Sequence, residues 1–209
     1  LTATGPNRGG NAAGVQNRSI EVTGRGIHPA AATLTRIAMT IKPVSKKTIL
    51  EKQAEMRKQV FGELDPALIW HRKSAKGFTT IPRTMPLLGA IMDGLSGKGK
   101  PLSTVYLELW CRSNDDGFVT LSKQAETAYA SGFSGERAVS TWKERVRRLE
   151  ELEFLMTKPG VSGNLHYVQL WNPYRAVKHH RDQNTPGFRH ELYNTLVERA
   201  LDIGATDLD

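Results

Sequence analysis

The sequence predicts a mainly α fold with one small β-hairpin (α+β), arranged as a winged helix-turn-helix with helical N- and C-terminal extensions. Three observations carry this. Between residues 101 and 171 the patterning runs helix, strand, helix, tight turn, helix, hairpin. The third of those helices splits into an apolar face and a basic face. The chain of 209 residues also carries a formal net charge of +8, a balance that favours a polyanionic partner.

Bulk properties set the frame. The length allows one good core with extensions. A hydrophobic share of 39% and a charged share of 24% suit a globular chain with some flexible polar sequence. The single cysteine, Cys111, excludes an intramolecular disulfide and suits a reducing cytosol or nucleoid. It lies in an apolar helical pattern and reads as a small core residue. No apolar run approaches the ~20 residues of a membrane span. The N-terminus lacks a secretion-signal layout, and the start at Leu1 fits a trimmed chain. The expected setting is therefore cytoplasmic and nucleoid-associated, with no membrane partner.

Four regions follow. Residues 1–44 are rich in Gly, Asn, Ala and Thr, with Arg8, Arg18 and Arg25, and read as a flexible basic arm. Residues 45–76 hold an amphipathic helix over 45–61, capped by Ser45, with Ile49, Met56 and Val60 at helical spacing. Gly62 and the Asp65-Pro66 step end it. Residues 77–171 form the main domain. Residues 172–209 hold a basic cluster (Arg175, Lys178, His179, His180, Arg181) and a last helix over 188–203 with Leu192, Leu196 and Leu201. That helix and the one over 45–61 each offer a face for the core or for a homodimer.

Within the main domain, Pro82 keeps residues 77–83 extended. A short helix over 84–96 places Met85, Leu88, Ile91, Met92 and Leu95 on one side. Gly97-Lys98-Gly99-Lys100-Pro101 is a basic loop. A helix over 102–112 turns Leu102, Val105, Leu109 and Tyr106 inward. Asn114-Asp115-Asp116-Gly117 is a turn before a strand over 118–121. Ser122 caps a second helix over 123–130, with Ala125, Ala128 and Tyr129 inward. Ser131-Gly132-Phe133 is the tight turn, and Ser134 caps a third helix over 135–153. Strands over 154–157 and 165–171 enclose a loop over 158–164 rich in turn residues.

The third helix carries the functional expectation. Val139, Trp142, Val146 and Leu149 cluster on one side, which must be buried. Arg137, Thr141, Glu144 and Arg148 fall almost opposite, flanked by Ser140, Lys143, Arg145 and Arg147. In a helix-turn-helix the N-terminal part of this helix meets base edges, which selects Arg137, Ser140 and Thr141. A bidentate arginine–guanine pair discriminates by ~1–3 kcal/mol. Glu144 suits a cytosine amino group or the orientation of an arginine. Lys143, Arg147 and Arg148 suit phosphates, which give affinity and register. Lys158 and His166 on the hairpin, Lys98 and Lys100 in the basic loop, and Lys123 complete the expected DNA-binding set.

From Gly77 onward, the run GFTTIPR, a short apolar helix, LSGKGKPL, the DDGFVTL strand, SKQAETA and the ending RRLEELEFL resemble the N-terminal domain of phage replication protein O and related plasmid replication initiators. The resemblance is one of pattern and covers about residues 77–158. It implies origin binding in replication of a mobile element, with the DNA-facing helix at residues 135–148. A departure is the longer turn, SGFSGERAVSTW, where a compact turn is usual; it bears on where the reading helix starts.

Catalytic patterns are missing from the sequence. Residues 94–100 match the first seven positions of a P-loop, but Pro101 stands where a Mg²⁺-binding Ser or Thr belongs, and a helix precedes them instead of a strand. His179, His180 and His190 lack zinc-site spacing. The expectation is a sequence-specific double-stranded DNA-binding protein of a plasmid or phage, with no enzymatic activity, cofactor or metal. It acts in replication initiation or its control, with replication or transcription proteins as partners. A transcriptional regulator and a protein-interaction adaptor are the alternatives.

Overall fold

The structure, a computed structural model, describes residues 46–208, which fall into two units divided after Leu64. The arm expected over 1–44 and the Ser45 cap lie outside the described residues.

The first unit contributes helix α1 (Lys46–Phe61), where the spacing of Ile49, Met56 and Val60 predicts it; all three are exposed. Gly62 stops it at φ +73, its N–H returning to the Lys58 carbonyl at 2.9 Å.

The second unit is α-rich, with one small three-stranded antiparallel sheet. It begins with a 3₁₀ turn (Pro66–Leu68), capped by Asp65 Oδ1 on the Ala67 N–H. Residues 77–83 are neither helix nor strand, and Trp110 Nε1 ties them down by donating to the Thr80 carbonyl at 2.9 Å. Helices α2 (Met85–Ser96) and α3 (Ser103–Arg112) follow, then β1 (Phe118–Thr120), α4 (Gln124–Ala130), α5 (Ala138–Glu151), β2 (Leu155–Gly160) and β3 (Gly163–Leu170). Helices α6 (Pro173–Asp182) and α7 (His190–Ile203) close the chain.

The core forms where apolar faces of α2, α3 and α5 meet the inner face of the sheet. Leu88, Ile91, Met92, Val105, Leu109, Trp142, Val146, Leu149, Phe154 and Val168 are fully buried. Side chains of this size contribute ~1.5–3 kcal/mol each when fully buried. The backbones of α2 and α3 come close at Gly89, where a Cβ would lie 2.9 Å from Ser103 Cβ. Burial also pushes the Tyr106 phenol well above its usual range.

Four helices end alike. After α4, α5, α6 and α7 the chain turns through Gly132, Glu153, Asn184 and Gly204, all at positive φ. In each case paired N–H groups reach back three and five residues, as Gly132 to Tyr129 and Phe133 to Ala128 do. This closure satisfies carbonyls a helix end leaves open. Glutamate is the unexpected occupant, since a β-carbon disfavours that backbone region.

The sheet order is β1-β3-β2, with Val119 opposite Val168 and Thr157 opposite Val168 from the other side. The β2–β3 hairpin is longer than the sequence suggests. Both strands continue to Gly160 and Gly163, leaving Val161 and Ser162 as the turn. A register irregularity between Lys158 and Gly160 absorbs Pro159. On β2, the Thr157 N–H and hydroxyl both bond to the Glu150 carboxylate, at 2.6 Å and 2.9–3.0 Å.

Several expectations need correction. Cys111 is exposed on α3, not in the core; α3 turns Val105, Tyr106 and Leu109 inward instead. On α4, Thr127 and Ala128 are buried, whereas Ala125 is exposed and Tyr129 is 75% exposed. Ser122 does not cap α4, whose N-cap position is Lys123, without a side-chain bond. The C-terminal basic cluster is a helix, α6, capped by Asn172 Oδ1 on the Tyr174 N–H at 3.0 Å. His180 is buried within it: Nε2 donates to the Leu152 carbonyl at 2.8 Å, and Nδ1 faces Thr185 Oγ1 at 3.0 Å. Helix α7 packs against α2 and buries Tyr193, Leu196 and Ala200, while Leu201 is exposed. The loop leading into α7 also comes close to α2: a Cβ on Gly94 would lie 2.8 Å from the Gly187 carbonyl oxygen.

Candidate nucleic-acid interface

Helix α5 presents the largest set of candidate side chains. Its start is set by Gly135, which at φ +81 is not helical; Ala138 N–H bonds to the Gly135 carbonyl, and the helix begins there. It therefore starts three residues later than expected, and Ser134 is not its cap. Arg137 holds the N-cap position, and its carbonyl accepts from Thr141 N–H and Ser140 Oγ, both at 2.9 Å.

Trp142, Val146 and Leu149 face the core, as expected, with Val139 partly buried. On the other side Arg137, Ser140, Glu144 and Arg147 are exposed, and Thr141 and Lys143 are half-buried. Arg145 departs from the flanking position expected of it. Its side chain is only 12% exposed, its Nε is buried without a partner, and Nη1 lies 3.9 Å from Glu144. Arg148 is engaged too. Nη2 donates to the Leu95 carbonyl at 3.1 Å, and Nη1 pairs with Glu151 at 2.9 Å.

The turn into α5 is held by its own bonds and by the core. Ser131 Oγ donates to the Thr127 carbonyl at 2.8 Å, Gly132 takes φ +90, and Phe133 packs against the core. The hairpin is tied to the start of α4: Gln124 Nε2 donates to the Ser162 carbonyl at 3.1 Å, and Ser162 Oγ to the Ser122 carbonyl at 3.4 Å. These bonds bring Lys123 beside the hairpin turn, where Val161 is 97% exposed. Lys123 itself lies 3.7 Å from Glu126, an exposed pair of little energetic weight. Lys158 stands exposed on β2 opposite Tyr167.

His166 is the clearest correction among the expected contacts. It is buried, its Nδ1 accepts from Ser162 N–H at 3.3 Å, and its ring fills the space that Gly160 leaves by having no side chain. The ring therefore holds the hairpin from inside and is not offered to a ligand. Lys98 and Lys100 are exposed in the loop between α2 and α3. Sequence reasoning missed Gln124 and Ser162, because each acts on a partner far along the chain. It also missed Tyr129, whose exposure puts an aromatic ring on the outer side of α4.

Arg137, Lys143, Arg147, Lys158, Lys98 and Lys100 form no salt bridge among the described residues. Among the same residues no group of three or more His, Cys, Asp or Glu side chains is placed to hold a metal ion, and no helix is long and apolar enough to cross a membrane. No protein-family model, no curated protein and no solved structure matches the chain.

Proposed function

We propose that the second unit is a winged helix-turn-helix that binds double-stranded DNA sequence-specifically, for a plasmid or phage, in replication initiation or its control. In this reading α4 and α5 are the helix-turn-helix, α5 enters the major groove and the β2–β3 hairpin is the wing. One observation carries it. On the inner face of α5 Trp142, Val146 and Leu149 are fully buried, while its outer face leaves Arg137, Ser140, Lys143 and Arg147 available from the first turn onward, without an acidic partner. Arg137, at the N-cap, is the residue assigned to a base edge; Lys143, Arg147, Lys123 and Lys158 are assigned to phosphates. His166, buried beneath the hairpin, makes no DNA contact in this reading, and the role in replication is what the resemblance to phage replication protein O implies.

The test is selection of random duplex DNA by the full chain, then binding of the enriched site at two salt concentrations. The expected result is a recurrent motif bound ~10³-fold or more above random DNA. Arg137→Ala should reduce that preference about 10-fold or more while binding to random DNA changes little. No enriched motif, with affinity that only collapses as salt rises, refutes the reading. Weak, salt-insensitive binding would favour the adaptor. An origin-dependent replication assay, with and without the protein, separates an initiator from a transcriptional regulator.

A further inference from the structure

We propose that the basic loop over 97–101 is a further phosphate-binding element acting on the same duplex, and that Arg148 is its positioning residue instead of a phosphate contact. The inference rests on the DNA reading of α5 and adds a site on another element.

The loop is built, not merely exposed. At its start, Arg148 Nη2 on α5 holds the Leu95 carbonyl at 3.1 Å, so the end of α2 is fixed to the reading helix. At its far end, Asp93 accepts from the backbone N–H groups of Leu102 and Ser103 at 2.6 and 2.8 Å and from Ser103 Oγ at 2.7 Å. Between these anchors the chain turns through Gly97 and Gly99, at φ +89 and +76, with Lys100 N–H returning to the Gly97 carbonyl at 3.3 Å. The two lysines alternate with these glycines and are both exposed. A Cβ on either glycine would meet nothing within 4 Å, and residues 97–100 are all exposed.

Position supports the assignment. Arg137, Thr141, Glu144 and Arg148 share one stripe of α5, so the loop is fastened to the far end of the stripe assigned to DNA. From Ala138 to Arg148 the helix rises about 15 Å, comparable with the ~12 Å width of the major groove. A helix that meets base edges with its N-terminal residues carries its later turns towards the flanking backbone, and the loop fastened to those turns brings two lysines to that side. Arg148 spends its Nη groups on Leu95 and Glu151, which fits a strap.

The test is the slope of log affinity against log salt for the full chain on its selected duplex. Each lost phosphate contact lowers that slope by ~0.9. Lys98→Gln with Lys100→Gln should lower it by ~1.8 and leave the selected motif unchanged. An unchanged slope overturns the loop assignment while the reading of α5 stands; absence of salt-dependent duplex binding by the unaltered protein overturns both. Arg148→Ala should reproduce most of the loop variant's loss and add nothing to it. A loss of ~0.9 in Arg148→Ala, additive with the lysine changes, would make Arg148 a phosphate contact and overturn its positioning role.

Discussion

Replacing Gly160 by alanine probes how the hairpin is held. A Cβ there would lie 2.3, 2.6 and 2.9 Å from Cδ2, Cγ and Cβ of His166. The ring cannot escape by a small rotation, because its own Cβ is among the crowded atoms. It must move away from a buried site, giving up the bond from Ser162 N–H at 3.3 Å. Overpacking of this kind costs about 1–3 kcal/mol. Removing a strand glycine returns about 0.5–1 kcal/mol through the unfolded chain. The net loss is about 0.5–2 kcal/mol, or a fall of roughly 1–8 °C in Tm for a chain of this size. Thermal unfolding of the Gly160→Ala, His166→Ala and double variants forms a cycle. In the double variant the second change should cost less than either alone predicts, because His166→Ala opens the space the new methyl needs. Strict additivity, or an unchanged Tm in Gly160→Ala, would refute the packing argument.

Further outcomes are expected elsewhere. Trp142→Ala should cost ~3–5 kcal/mol, whereas Trp142→Phe should cost clearly less, because the indole N–H is buried without a partner; urea unfolding of both checks this. Glu153→Gly should stabilise the protein by about 0.5–1 kcal/mol, since φ +58 is strained for any residue with a β-carbon; a lower urea midpoint would contradict it. Cys111 is exposed, yet partial burial and the nearby Glu108 charge raise its thiol pKa. Its thiolate fraction is thus smaller at any given pH, and alkylation should still be accelerating where a free thiol has levelled off.

Much of the fold was legible because its signals are local. Met85, Leu88, Ile91, Met92 and Leu95 repeat over three turns, and only a helix buries them together. Helix α4 has seven residues, too few to choose between a face through Ala125 and Tyr129 and one through Thr127, so the choice went to tertiary packing. Helix α6 looked like a charge cluster because its buried side includes His180, a polar ring satisfied by Leu152 and Thr185. In the candidate site, Arg137 and its neighbours could be read from helical spacing. The engagement of Arg148 could not, since its partner lies 53 residues away. His166 was misplaced for a similar reason: its surroundings depend on a β-bulge and a glycine across the hairpin.

The bonds between Thr157 and Glu150 have a consequence for how this molecule meets copies of itself. β2 is an outer strand, and outer strands invite another chain to extend the sheet. Here the Thr157 amide is already occupied by a carboxylate, and Pro159, two residues on, has no amide hydrogen to offer. The opposite border, β1, has three residues, and its Phe118 amide is taken by Asp116 at 3.2 Å. Neither border offers a continuous row of donors, so strand-on-strand growth towards fibrils is discouraged at both ends. A stable assembly of this protein is better served by side chains on its helices than by its backbone.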